Sequence, residues 1–197
     1  MRNSSQVNHA VSFCVSRWRT DLRELFENIL RDPLARKRGR VWAGDFSGEI
    51  GPRDIHYAVF LAVLSIVPAA IVAYTSTQPR LVMFANFFRA PLQVAVSGFL
   101  TAVFIFAGTH FNKQPGPFSV AFKLMLRVMA VHPLLAFMLL LPLGEPFSLL
   151  VYGLFVIRGV RKTYPIPVEK VAMFYGAIYF VFFILQLNAT LYPAHIG

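Results

Sequence analysis

The chain holds one cysteine and nine acidic residues among 197. With Cys14 alone, neither an internal disulfide nor a multi-cysteine metal cluster can form. Between Asp54 and Glu169 the only acid is Glu145. Proton- and cation-coupled transporters usually keep a carboxylate at mid-membrane, so its lack in the apolar runs weighs against that class. Gly-x-Ser-x-Gly, Walker A, His-Glu-x-x-His and Gly-x-Gly-x-x-Gly motifs are all missing. The expectation is a protein without catalytic residues and without a cofactor. Residues 1–10 are polar and residues 11–15 are too short for the apolar core of a secretory signal.

What is present is apolar. Hydrophobic residues make up 56% of the chain, 20 of them Phe, and only 14% are charged, where soluble domains run to about a quarter charged. The excess lies in runs long enough to cross a bilayer as helices. The expected fold is an all-α, polytopic membrane helix bundle. Residues 1–52 form a cytoplasmic segment, and residues 53–197 form a domain with five transmembrane helices. These spans fall at about residues 55–74, 91–109, 122–141, 146–160 and 170–191. Pro68 is expected to kink the first, and His132-Pro133 sits in the middle of the third. Residues 81–88 read as a short interfacial helix or as an early, Pro91-kinked start to the second span. The fourth span is short and ends on Arg158.

The net charge of +10 invites a nucleic-acid reading. The cations instead sit beside the apolar runs, as the positive-inside rule requires, and no nucleic-acid partner is expected. With the N-terminus inside, seventeen of the 19 Lys and Arg fall on the cytoplasmic side. Arg80 and Arg89 are the two outside. Five spans then put the C-terminus on the opposite side.

Within residues 11–30, Val11, Val15, Trp18, Leu22, Leu25 and Ile29 recur at steps of three or four. Arg17, Asp21, Glu24 and Glu27 fall largely on other faces. This is the pattern of an amphipathic interfacial helix, with Trp18 at headgroup depth. The alternative is a helix packed on the cytoplasmic face of the protein itself or of a partner. Arg36, Lys37, Arg38 and Arg40 follow Asp32-Pro33 and form a basic cluster suited to anionic lipid headgroups, or simply to fixing topology.

Polar groups inside the spans are few. Gln93, Ser97 and Thr101 form a line on the second span, as a pore lining or a helix–helix contact needs. His132 is the one ionisable group at mid-span. It can shuttle a proton, hold haem or metal, or cap backbone freed by Pro133. Arg127, near the start of the third span, is expected to snorkel to the cytoplasmic surface. His56 and His110 lie at the cytoplasmic interface, where two histidines can share a metal or haem if the first two spans meet.

The C-terminal half carries a family resemblance. Residues 118–123 lead to Val128-Met129-Ala130-Val131-His132-Pro133-Leu134-Leu135, and the Pro142-to-Pro146 turn follows. Next comes Tyr152-Gly153-Leu154-Phe155-Val156-Ile157-Arg158-Gly159-Val160, and Pro167-Val168-Glu169-Lys170-Val171-Ala172 opens the last run. This resembles the Yip domain family of Ypt/Rab-interacting, five-span membrane proteins, in its bacterial type. A family-like Tyr-Ser before the mid-helix Pro stands here as Val131-His132. The resemblance implies the five-span layout and a bacterial inner membrane. It does not imply an activity.

The functional expectation is therefore a binding protein of the membrane: a scaffold, an assembly or trafficking factor, or an accessory subunit. Its partners would be membrane lipids, anionic headgroups among them, and a protein partner or a second copy of the chain. The second reading is a small transporter or channel with a polar path near Gln93, Thr101 and His132. The third is a haem- or metal-binding membrane protein.

Overall fold

The computed structural model describes residues 2–31, 46, 48–75, 80–114, 116–141 and 143–191. Arg36, Lys37, Arg38 and Arg40 lie outside the described residues. The described chain is helical throughout: α1 (Arg2–Arg31), α2 (Pro52–Leu64), α3 (Ile66–Thr75), α4 (Arg80–Phe111), α5 (Phe118–Met129), α6 (His132–Leu135), α7 (Gly144–Thr163), α8 (Val168–Val171) and α9 (Ala177–Leu191). A 3-10 stretch, Ala136–Leu140, extends α6, and a π turn, Ala172–Gly176, joins α8 to α9. Four helical rods among the described residues are long and apolar enough to cross a membrane. They are Pro52–Val72, Phe88–Phe111, Phe118–Met138 and Glu169–Asn188.

Prolines set the breaks. The first rod is interrupted at Ser65, three residues before Pro68, whose missing N–H leaves the Leu64 carbonyl without its helical donor. The Ser65 hydroxyl bonds the Ala62 carbonyl at 2.6 Å. The third rod breaks at Ala130-Val131, just ahead of His132-Pro133. Pro91, by contrast, lies inside a continuous α4, so residues 81–88 are an early start to that helix.

α7 is 20 residues long, about 30 Å at the α-helical rise. Glu145, Arg158, Arg161 and Lys162 at its ends keep it out of the apolar set. It nevertheless runs antiparallel to the last rod for the length of that rod. Phe147 meets Phe183 with ring centroids 6.2 Å apart. Gly153 lies under the Tyr179 ring, and Gly176 lies near the Ile157 side chain. On its other side Gly159 admits Leu124 of α5.

α5 is the spine. Leu124, Leu126 and Val128 are fully buried, and α5 contacts α1, α2, α4 and α7. The small-residue faces work as close-approach surfaces: Gly98 of α4 receives Met129 and Met125, and Ala102 is fully buried.

α1 packs on α2 and α5. Its buried stripe is Cys14, Asp21 and Leu25, with Trp18 half-buried, whereas Val11 and Val15 are exposed. The polar face that composition assigns to water is thus used for docking. Arg17 pairs with Asp54 at 2.9 Å, and Arg127 pairs with Asp21 at 3.2 Å and Glu24 at 2.9 Å. Arg17 and Arg127 also stack over Tyr57 and Phe46, at 4.4 Å and 4.8 Å from the ring centroids. Arg127 therefore does not snorkel to the surface; the carboxylates of α1 meet its charge inside the protein. Trp18 Nε1–H donates to the Ala130 carbonyl at 2.8 Å, the contact of a helix lying on its own protein.

Two outcomes test this packing. Gly159→Val, which must displace Leu124 from 2.8 Å, is expected to destabilise by about 1–3 kcal/mol. Gly176→Ala, with its nearest side-chain atom at 3.9 Å, should leave the midpoint of unfolding in detergent nearly unchanged. The second concerns pH. Burial holds the Asp21 carboxyl above its usual range, although Arg127, the Tyr57 hydroxyl and Arg17 pull it down; Glu24 adds to the rise. The folded state then binds that proton more tightly than the unfolded chain. The resulting stabilisation is complete below the ordinary value of 3.8 and is lost as pH rises through the raised one. The stability difference between wild type and Asp21→Asn should shift toward wild type as pH falls from 7 to 4. A constant difference in thermal scans would contradict this.

Candidate intramembrane site

The break in the third rod creates an unusual backbone problem. In an unbroken helix the Ala130 carbonyl would take the Leu134 N–H. Here Leu134 N–H bonds Val131 O at 3.0 Å, so the Ala130 carbonyl is freed and Trp18 of α1 fills the vacancy. Sequence reasoning assigns such a capping role to His132. Instead, the Nδ1 atom of His132 is buried with no hydrogen-bond partner.

His132 faces a cavity of about 670 Å³. Gln93, Ser97 and Thr101 of α4 line the same cavity, together with Tyr152 of α7 and Tyr179 of α9. Three of the residues singled out from sequence, Gln93, Thr101 and His132, are thus brought to one space. The fourth, Pro133, is buried beside it and acts through the break it forces. Trp18 is engaged within the protein and stands apart from the cavity.

The cavity exists because the rods form two groups. α4 packs against α2, α3 and α5, while α7 packs against α5 and α9. At the end marked by Phe111 and Phe118 the groups close on each other. There Tyr175 donates its hydroxyl to the Ile105 carbonyl at 3.0 Å, Gly108 lies against that Tyr175 side chain, and Phe111 stacks on Phe174 at 5.8 Å. Toward the other end the 3-10 stretch after α6 contacts both α3 and α7. Arg89, Glu145 and Gln186, each near the opposite end of its rod, complete the lining there.

The polar groups are deep. Thr101 donates to the Ser97 carbonyl at 2.8 Å, and it lines the cavity beside Tyr152 and Tyr179. His132 and Tyr152 meet edge to face at 6.3 Å, as do Tyr152 and Tyr179 at 6.1 Å. Among the described residues, no charged side chain lines the cavity other than Arg89 and Glu145 at its end. Sequence reasoning missed Tyr152 and Tyr179, because a tyrosine in an apolar run signals packing or interface as readily as a site. His110 is occupied locally, with Nδ1 3.0 Å from the Phe106 carbonyl. Among the described residues no three His, Cys, Asp or Glu side chains gather in a way that could hold a metal ion.

The closed end makes a direct prediction. Gly108→Val must expel the Tyr175 hydroxyl from its place and break the bond to Ile105. Its cost in thermal unfolding should exceed that of Tyr175→Phe, which removes one neutral hydrogen bond worth about 0.5–1.5 kcal/mol.

Comparison of the chain with models of known protein families, with curated proteins and with solved structures returned no match.

Proposed function

We propose that this chain is a non-enzymatic, five-span membrane protein that binds a small ligand within the bilayer, as a small transporter or carrier does. The observation that carries the reading is the convergence of Gln93 and Thr101 from one rod and His132 from another on one cavity of about 670 Å³. Ligand sites are concave and mostly apolar, with a few placed polar groups, and fall in about 300–1,000 Å³. A structural histidine would spend its ring nitrogens on neighbouring spans; here one is buried and unspent. Of the two leading expectations from sequence, this observation favours the transporter over the scaffold.

The fifth span in this proposal is α7. Its neighbours at both ends support a full crossing, and an apolar stretch of twelve residues between Glu145 and Arg158 fits a locally thinned bilayer. The charge bias puts the N-terminus and the Phe111–Phe118 end in the cytoplasm, and the C-terminus with Arg89 and Glu145 outside. α1 then lies at the inner interface with Val7, Val11 and Phe13 exposed. This layout is the one the resemblance to the Yip domain family implies, and with it a bacterial inner membrane.

The exposed apolar residues of α1 favour a second reading, that of an accessory subunit whose partner covers Val7, Val11 and Phe13. Two measurements decide. A reporter fused after Gly197 should prove non-cytoplasmic; a cytoplasmic result removes the five-span topology. In mild detergent, mass spectrometry of the purified protein should find a retained small molecule. Ala136→Trp, which fills the cavity, should lose it at unchanged helicity. Equal retention by the variant, or a stoichiometric protein partner with no retained molecule, would overturn the cavity reading in favour of the second.

A further inference from the structure

Resting on the cavity reading, we propose a ligand class: an uncharged amphiphile drawn sideways from the bilayer, with a carbonyl- or hydroxyl-bearing ring seated at His132, Thr101 and Tyr152. The route follows from the walls. Leu100, Phe104 and Phe182 line the cavity, and each is exposed, at 48%, 41% and 46% of its area. They lie well inside the rods Phe88–Phe111 and Glu169–Asn188. An opening bordered by such residues faces hydrocarbon, so it admits molecules already dissolved in the membrane and excludes hydrophilic solutes.

The headgroup follows from the depths. At the level of His132 the lining offers an imidazole and hydroxyls, with no Lys, Arg, Asp or Glu among the described residues. An ionic headgroup brought there would pay its desolvation without a counter-charge. A neutral carbonyl can accept from an imidazole N–H, and a neutral hydroxyl can donate to an unprotonated ring nitrogen. Tyr152 and Tyr179, edge to face at 6.1 Å, supply aromatic surface of the kind that suits a flat ring better than a bare alkyl chain. The tail would leave between Leu100 and Phe182.

The test is equilibrium binding of a radiolabelled decyl-benzoquinone to the full chain in nanodiscs, competed by decyl-phenol and by lysophosphatidylcholine. Saturable binding competed by the phenol but not by the lysolipid is expected. His132→Leu should weaken it at least tenfold, and His132→Gln, which keeps an amide donor, should restore most of it. Phe180→Ala, on the exposed face of α9, should bind as wild type. Saturable lysolipid binding lost in Ala136→Trp, with no ring binding, would overturn the ligand class and leave the cavity reading standing. Ring binding indifferent to His132→Leu would overturn the seat. No saturable binding of any probe, with wild type and Ala136→Trp alike, would remove both.

Discussion

A proline in the middle of a bilayer-crossing helix leaves backbone carbonyls without donors where water is scarce, and each has to be met from inside the protein. Pro133 imposes that constraint on α5 and α6. The answer at Ala130 is a side chain 112 residues away in sequence, the Trp18 indole. The chain thus ties its first helix to the point where its central rod fails. Just after the same break, His132, Leu135 and Ala136 become cavity wall.

The charge cluster shared by α1, α2 and α5 makes this arrangement tolerable. Trp18 can reach Ala130 only if α1 is held across α5, and α1 carries acids on the face it must bury. Asp21 and Glu24 meet Arg127, and Arg17 reaches Asp54. Buried pairs add little net stability over apolar packing, but removing one partner is costly because the other is left alone. What the pairs contribute is register: a helix shifted by one residue along α5 would strand both Asp21 and Arg127. The elevated carboxyl of Asp21 fits this, since burial there outweighs the pull of three neighbours.

How much of this was legible beforehand differs by kind of residue. The apolar runs and the prolines announce the rods and the breaks at Ser65 and Ala130. Gln93, Thr101 and His132 stand out because hydrogen-bonding side chains are rare in such runs, and they share the cavity. α7 is harder, since the charges that cap it at both ends lower its apolar average while its neighbours show it traversing the bundle. Tyr152 and Tyr179 were invisible as site residues, because hydropathy counts the ring and ignores the hydroxyl. The docking face of α1 was read a step aside from the true one. Periodicity finds the apolar stripe of a helix, but here cations on α5 select Asp21 for burial and leave Val11 and Val15 outside. No one-dimensional pattern on α1 carries the positions of Arg127 and Ala130.

These two halves meet at one peptide. Ala130 O is bonded by α1, and two residues on His132 faces the cavity, with no regular helix between them to absorb a shift. A movement of α1 that withdrew Trp18 would leave Ala130 O unpaired, and the cheapest relief is for residues 130–133 to wind differently. That rewinding turns His132. A ligand that fixes His132 would, by the same coupling, hold the break in the form that Trp18 recognises. One short segment carries both contacts. The docked helix and the cavity are thus two ends of a single constraint, set by where the proline falls.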